Sequence, residues 1–123
     1  MWLSQQREVR LEEPTAELGR VTLPGAPAGV ALGEERRDVT LCLPGGYHWT
    51  PQRGDAVLVV KGGAEGAPYL VGTPAAQKVP PGEVFLSVRE GVGLRLTADG
   101  RICLVGPVEV SGALTVNGKA VGE

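Results

Sequence analysis

The second half of the chain alternates apolar and polar residues in short runs. Pairs of apolar residues two positions apart begin at residues 84, 94, 102, 108 and 114, and Ala120 begins a further one. A period of two is typical of strands with one buried face. Turn formers separate the pairs, among them Asp99-Gly100 and Asn117-Gly118. Residues 83–123 are therefore predicted to form a ladder of short strands whose rungs settle to a six-residue spacing.

The first half predicts a different β-structure. Five short apolar runs lie within residues 18–23, 30–32, 39–43, 56–60 and 69–72, and a charged turn is expected at residues 33–37. No helical period with caps is present. Short strands at this density indicate a small closed barrel or a sandwich over residues 15–73. Residues 1–14 are predicted to be a polar arm, and the proline-containing residues 74–82 a stiff linker.

The strand ladder cannot easily stand alone. Two aliphatic side chains contribute about 3–5 kcal/mol per rung when fully buried. Ordering six residues costs roughly 1–2 kcal/mol for each of them. Three copies wound about one axis would bury the apolar edges, and the side chains predicted to fill that axis are Leu94, Leu96, Ile102, Leu104, Val108, Val110, Leu114 and Val116. The alternative is that the ladder folds back on the first half as one monomeric sandwich.

Composition narrows the function classes. Of the 123 residues, 19 are Gly and 10 are Pro, the net charge is −2, and no basic stripe is present, so a nucleic-acid partner is not expected. The sequence has neither a transmembrane-length apolar stretch nor a signal peptide pattern at its start, which favours synthesis in the cytoplasm. Cys42 and Cys103 fall in different halves, so reduced thiols are expected, with a disulfide as the alternative.

No pattern indicates catalysis. The sequence contains no paired catalytic carboxylates, phosphate loop or zinc-ligand spacing, so neither an enzyme nor a cofactor or metal site is predicted. Left-handed hexapeptide-repeat enzymes share the six-residue period, but they need more rungs and a catalytic histidine beside them. The loop Tyr47-His48-Trp49 could contact a protein partner, plug the barrel or stack on nucleic-acid bases. The acidic net charge argues against the last of these.

Two stretches resemble a known family. Residues 47–60 (YHWTPQRGDAVLVV), followed by residues 67–72 (APYLVG), look like the OB-fold of the central spike of contractile phage tails, in particular of baseplate assembly protein V-like proteins. Residues 94–102 (LRLTADGRI) and 108–118 (VEVSGALTVNG) are similar to the trimeric β-helix of the same family. Together they cover about residues 16–121.

The resemblance implies an all-β protein with an N-terminal OB-fold barrel and a C-terminal intertwined trimeric β-helix, or needle. It implies a homotrimer attached to a baseplate hub, with Tyr47, His48 and Trp49 as a hub contact, in a virion or tail-like particle. The needle would pierce the target envelope when the sheath contracts, with a separate tip protein or residues 119–123 at its end. The His-x-His iron site and the inserted lysozyme of some relatives have no counterpart here. The competing hypothesis is an OB-fold module that binds nucleic acid or polysaccharide.

Overall fold

A computed structural model describes residues 15–74 and 78–122 of the chain. The chain divides into two compact units, one up to residue 75 and the other from residue 76. All regular elements within the described residues are β-strands. The first unit contains β1 (Ala16–Leu23), β2 (Ala28–Ala31), β3 (Glu35–Leu41), β4 (Ala56–Gly62) and β5 (Ala67–Gly72). The second contains β6 (Val84–Arg89), β7 (Val92–Leu96), β8 (Ile102–Val105), β9 (Thr115–Val116) and β10 (Lys119–Ala120).

The first unit is a closed barrel with the strand order β1-β2-β3-β5-β4. Strands β1 and β4 pair antiparallel and close the barrel. Strands β3 and β5 form a short parallel pairing, in which Thr40 lies opposite Tyr69. This order is compatible with an OB-fold, which is a five-stranded Greek-key barrel. Of the two architectures left open by the sequence, the barrel is the one formed.

The barrel has its own core. Alternate residues of its strands point inward, as the two-residue period requires, and the buried apolar side chains are Val21, Ala28, Val30, Val39, Val57, Val59 and Leu70, each at most 1% exposed. Leu32, Leu41 and Trp49 pack against this cluster. Branched aliphatic side chains suit the narrow interior of a small barrel. The unit therefore buries a contiguous core without help from another chain.

One turn in the barrel differs from its prediction. The charged turn expected at residues 33–37 is shorter, because β3 begins at Glu35 and only residues 32–34 turn. The charged residues at the start of β3 form pairs along the surface, with Arg36 Nε 3.4 Å from an oxygen of Asp38 and Arg37 Nε 3.8 Å from an oxygen of Glu35. A strand can carry such residues where its side chains face water, so the charges did not mark a turn.

The second unit consists of an antiparallel sheet in the order β6-β7-β8 and a small hairpin of β9 and β10. The predicted turns at Asp99-Gly100 and Asn117-Gly118 lie between strands, as expected. Asn117 and Gly118 have φ values of 51° and 80°, which a two-residue type I′ turn requires. The β-helix predicted for this part is not shown in the single chain, where the unit is an open sheet followed by a short hairpin.

The last two predicted rungs, Val108/Val110 and Leu114/Val116, do not form the predicted strands within a single chain. Val108, Val110 and Leu114 lie outside the strands, and only Val116 belongs to one, β9. Within the described parts of the chain, residues 107–113 make no hydrogen bond. The reason is that a strand needs a neighbour for its ladder, and no described residue of the chain pairs with this segment.

Candidate functional site

The sheet of the second unit gathers six aliphatic residues on one face. The register places Val84 opposite Leu96 and Leu86 opposite Leu94. It also places Leu94 opposite Leu104 and Leu96 opposite Ile102. Because directly opposite residues share a face, these positions form one continuous surface. We call it the apolar face, and its members are Val84, Leu86, Leu94, Leu96, Ile102 and Leu104.

The described residues of the second unit leave their own apolar face uncovered. Ile102 is 74% exposed and Leu104 is 61% exposed, and both lie on the edge strand β8. A groove of about 440 Å³ is lined by Leu104 together with Leu86, Leu94 and Val108. Apolar side chains on an exposed strand edge are a template for pairing with another chain. This exposed aliphatic surface is therefore the candidate site for contact with another chain.

The opposite face is organised within the chain. The guanidinium of Arg95 lies 4.5 Å from the centre of the Phe85 ring, and Arg95 Nη1 is 3.7 Å from a carboxylate oxygen of Glu83. The same carboxylate accepts a hydrogen bond of 3.2 Å from the backbone nitrogen of Ala98. The Phe85 ring also covers Gly93, where a Cβ would overlap it. The charged and aromatic groups of this face therefore contact one another within the unit, whereas most aliphatic side chains of the apolar face remain exposed.

The predicted axis residues divide into two sets. Leu94, Leu96, Ile102 and Leu104 belong to the apolar face. Val108, Val110, Leu114 and Val116 lie beyond β8 and are all exposed. Their assignment to a trimer axis stays a prediction, because a single chain brings only the first set together.

The predicted axis residues did not include Val84 and Leu86 of the apolar face, nor any residue of the opposite face. Val84 and Leu86 belong to the same alternation as the predicted residues, so the sequence did contain their signal. Phe85 was overlooked because it stands between two aliphatic residues. Its position across from Arg95 in the register could be recognised only once the strands were paired.

The loop predicted as a hub contact has two parts. Trp49 is half-buried and packs against the barrel core. Tyr47 is 58% exposed and His48 is exposed. Both line a groove of about 410 Å³ together with Leu41 and Leu43. Tyr47 and His48 are accordingly the members of the loop that remain available to a partner.

The turns at Asp55 and Asp99 have local structural roles. An oxygen of Asp55 accepts a hydrogen bond of 2.8 Å from the backbone nitrogen of Gln52. The hydroxyl of Thr97 donates to the carboxylate of Asp99, and this bond, assisted by Arg101, lowers the pKa of Asp99 below its usual 3.8. Both carboxylates shape the turns in which they lie.

No cluster of three or more potential metal ligands occurs among residues 15–74 and 78–122. Both cysteines are unbridged, with Cys42 exposed on the barrel and Cys103 half-buried in the second unit. In the same described ranges, no helix has the length and apolar character to cross a membrane.

Comparison with known proteins returned no significant match: no family model, no curated protein and no solved structure resembles the chain closely enough.

Proposed function

We propose that this protein is the homotrimeric central spike of a contractile phage tail or phage-tail-like particle. In this role the barrel, compatible with an OB-fold, attaches to the baseplate hub. The second unit winds with two other copies into an intertwined β-helix that pierces the target envelope on contraction. The protein acts mechanically, without catalysis or a cofactor, and it is made in the bacterial cytoplasm before it joins the particle.

The uncovered apolar face is the observation that carries the proposal. Six aliphatic residues on one face of a three-stranded sheet have no cover within the second unit, whereas the opposite face is occupied by Phe85, Arg95 and Glu83. A sheet of this size needs a second layer to be stable. Two further copies supply that layer symmetrically, and a closed threefold arrangement leaves no apolar edge exposed.

The segment of residues 107–113 supports the same proposal. Backbone groups without a hydrogen-bond partner favour pairing with a neighbouring chain. The apolar pair Val108 and Val110 keeps the two-residue alternation of the preceding strands. In an intertwined trimer this segment becomes a strand whose neighbours belong to the other copies.

A matched pair of variants tests the role in the particle. In the host that encodes the protein, the gene is deleted and the tail-like particles are imaged by electron microscopy. We expect the wild-type gene and Ser111→Asp to restore intact baseplates. Val110→Asp should not restore them, because it would bury three like charges on one axis. Normal particles in the deletion strain would contradict the proposal.

A second candidate function is binding of nucleic acid or polysaccharide by the barrel. The observation that favours it is the exposed ring of Tyr47 in the groove beside His48. Stacking on aromatic side chains is the usual means of binding single strands. Salt-sensitive binding of a single-stranded oligonucleotide, lost in Tyr47→Ala, would favour this function over the spike.

A further inference from the structure

The outer surface of the barrel has one apolar side. Strand β4 lies between β1 and β5 in the barrel. Two successive outward-facing positions on each of these three strands are occupied by uncharged residues. The side chain of Leu18 is 61% exposed there. We call this surface the outer apolar patch, and its residues are Ala16, Leu18, Leu58, Val60, Tyr69 and Val71.

The strand register makes the patch continuous. Leu18 lies opposite Leu58, and Ala16 lies opposite Val60. Val60 in turn lies opposite Tyr69 on β5. Directly opposite side chains on one face of a sheet are in contact distance. The patch is thus one surface rather than scattered apolar residues.

The surface of the barrel around β3 is polar and charged. The hydroxyl of Thr22 donates a hydrogen bond of 2.6 Å to Glu35, whose carboxylate also lies near Arg37. Arg36 and Asp38 form a further exposed pair. The barrel exterior is therefore polarised, with ion pairs on β3 and an uncharged apolar surface across β1, β4 and β5.

The size of the patch restricts its occupant. Three strands about 4.8 Å apart, with two outward rows about 6.6 Å apart, give a surface on the order of 200 Å². A stable interface between free proteins buries about 800 Å² on each partner. The patch is too small to recruit a protein from solution, so its occupant must already be held nearby.

We infer that the outer apolar patches of the three barrels pack against one another about the threefold axis of the assembly. This inference rests on the proposed trimer, because each barrel is joined by its own chain to a second unit that is held by two others. Tethering raises the effective concentration of the barrels to the millimolar range, where a small contact is enough.

Charge is compatible with this contact. The patch has no ionised side chain, so three copies can meet without repulsion between like charges. The neighbouring outward cation on β1, Arg20, directs Nη1 to the carbonyl oxygen of Gly54 at 3.0 Å. Its charge is thereby turned toward the end of the barrel instead of toward the partner.

Thiol labelling of the full-length protein tests the inference. Leu18→Cys places a thiol in the patch, and the matched control Arg37→Cys places one on the charged side, where the Arg37 side chain is 71% exposed. Each variant is first weighed by light scattering and then labelled with a maleimide under native conditions. Mass spectrometry of the peptides measures the rate at residue 18 or 37 separately from Cys42 and Cys103.

The inference predicts three-chain assemblies in which residue 18 is labelled at least tenfold more slowly than residue 37. Three-chain assemblies with equal rates would overturn the inference alone, since the patch would then be open to another protein. Single chains with equal rates would overturn the trimer and the inference together.

Discussion

The two units of this chain use the same apolar residue types with opposite results. In the barrel, Leu70 and Val59 are completely buried, because five strands close on themselves and enclose one side of every strand. In the second unit, Ile102 and Leu104 are largely exposed, because three strands form an open sheet and the unit has no second layer among its described residues. The difference teaches that strand alternation predicts which face must be buried, while topology decides whether one chain can bury it.

The largest expected effect is on the open sheet. Ile102→Asp changes a residue that is mostly exposed in one chain, and such surface changes normally alter stability by less than about 0.5 kcal/mol. If copies cover the apolar face, the same change buries three carboxylates together and we expect the assembly to dissociate. Size-exclusion chromatography with light scattering measures this. Thr115→Asp, on the polar side of the alternation, is the control and should leave the mass unchanged.

A core substitution in the barrel should lower stability without changing the number of chains in the assembly. Leu70→Ala removes a buried side chain, so the free energy of unfolding of the barrel should fall by about 2–5 kcal/mol. The number of chains in the assembly should not change. Denaturant unfolding followed through Trp49 fluorescence in a Trp2→Phe background provides the measurement, and Arg37→Ala serves as an exposed control. Dissociation by Leu70→Ala would show that the barrel depends on partners as well.

A smaller effect is expected on the organised face of the sheet. In Gly93→Ala the new Cβ would overlap the Phe85 ring and lie 2.9 Å from the carbonyl oxygen of Leu86. We expect this overpacking to cost about 1–3 kcal/mol. Thermal unfolding of the assembly should show the loss, and adding Phe85→Leu should restore part of it. An unchanged midpoint in Gly93→Ala would contradict the packing of Phe85 on Gly93.

The smallest effect concerns the turn between β7 and β8. Because the Thr97 hydroxyl lowers the pKa of Asp99, the carboxylate is favoured in the folded state. The corresponding stabilisation is present above the ordinary value of 3.8 and is lost as the pH falls through the lowered pKa. An NMR titration should find the pKa of Asp99 below 3.8, and Thr97→Val should raise it. Identical values in the two proteins would rule out the hydrogen bond as the cause.

Much of the barrel could be predicted from the sequence. Each apolar run produced one strand, since a two-residue period fixes the inward side chains regardless of which strands become neighbours. Closure through β1 and β4 and the parallel pairing of β3 with β5 involve residues far apart in the chain. Local patterns do not encode such pairings. The outer apolar patch was missed for the same reason, because Leu18 and Tyr69 belong to one surface only after the strands are paired.

The second unit shows where alternation is insufficient. Leu94 and Ile102 lie on one face of the sheet, because turns at Glu90-Gly91 and Asp99-Gly100 bring neighbouring runs together within one chain. Their assignment to a trimer core stays a prediction. For Val108 and Val110 the alternation continues, but no turn returns the chain beside them and the strand does not form. In the proposed trimer, the strands beside this segment would belong to the other copies.

The mass of the full-length protein in solution tests the central claim most directly. Sedimentation equilibrium at micromolar concentration should give three times the 12.8 kDa of one chain. That mass should persist on dilution to the point where the second unit begins to unfold, because the apolar face can remain covered only while the copies are together. A stable particle with the mass of a single chain, folded in both units, would contradict the account.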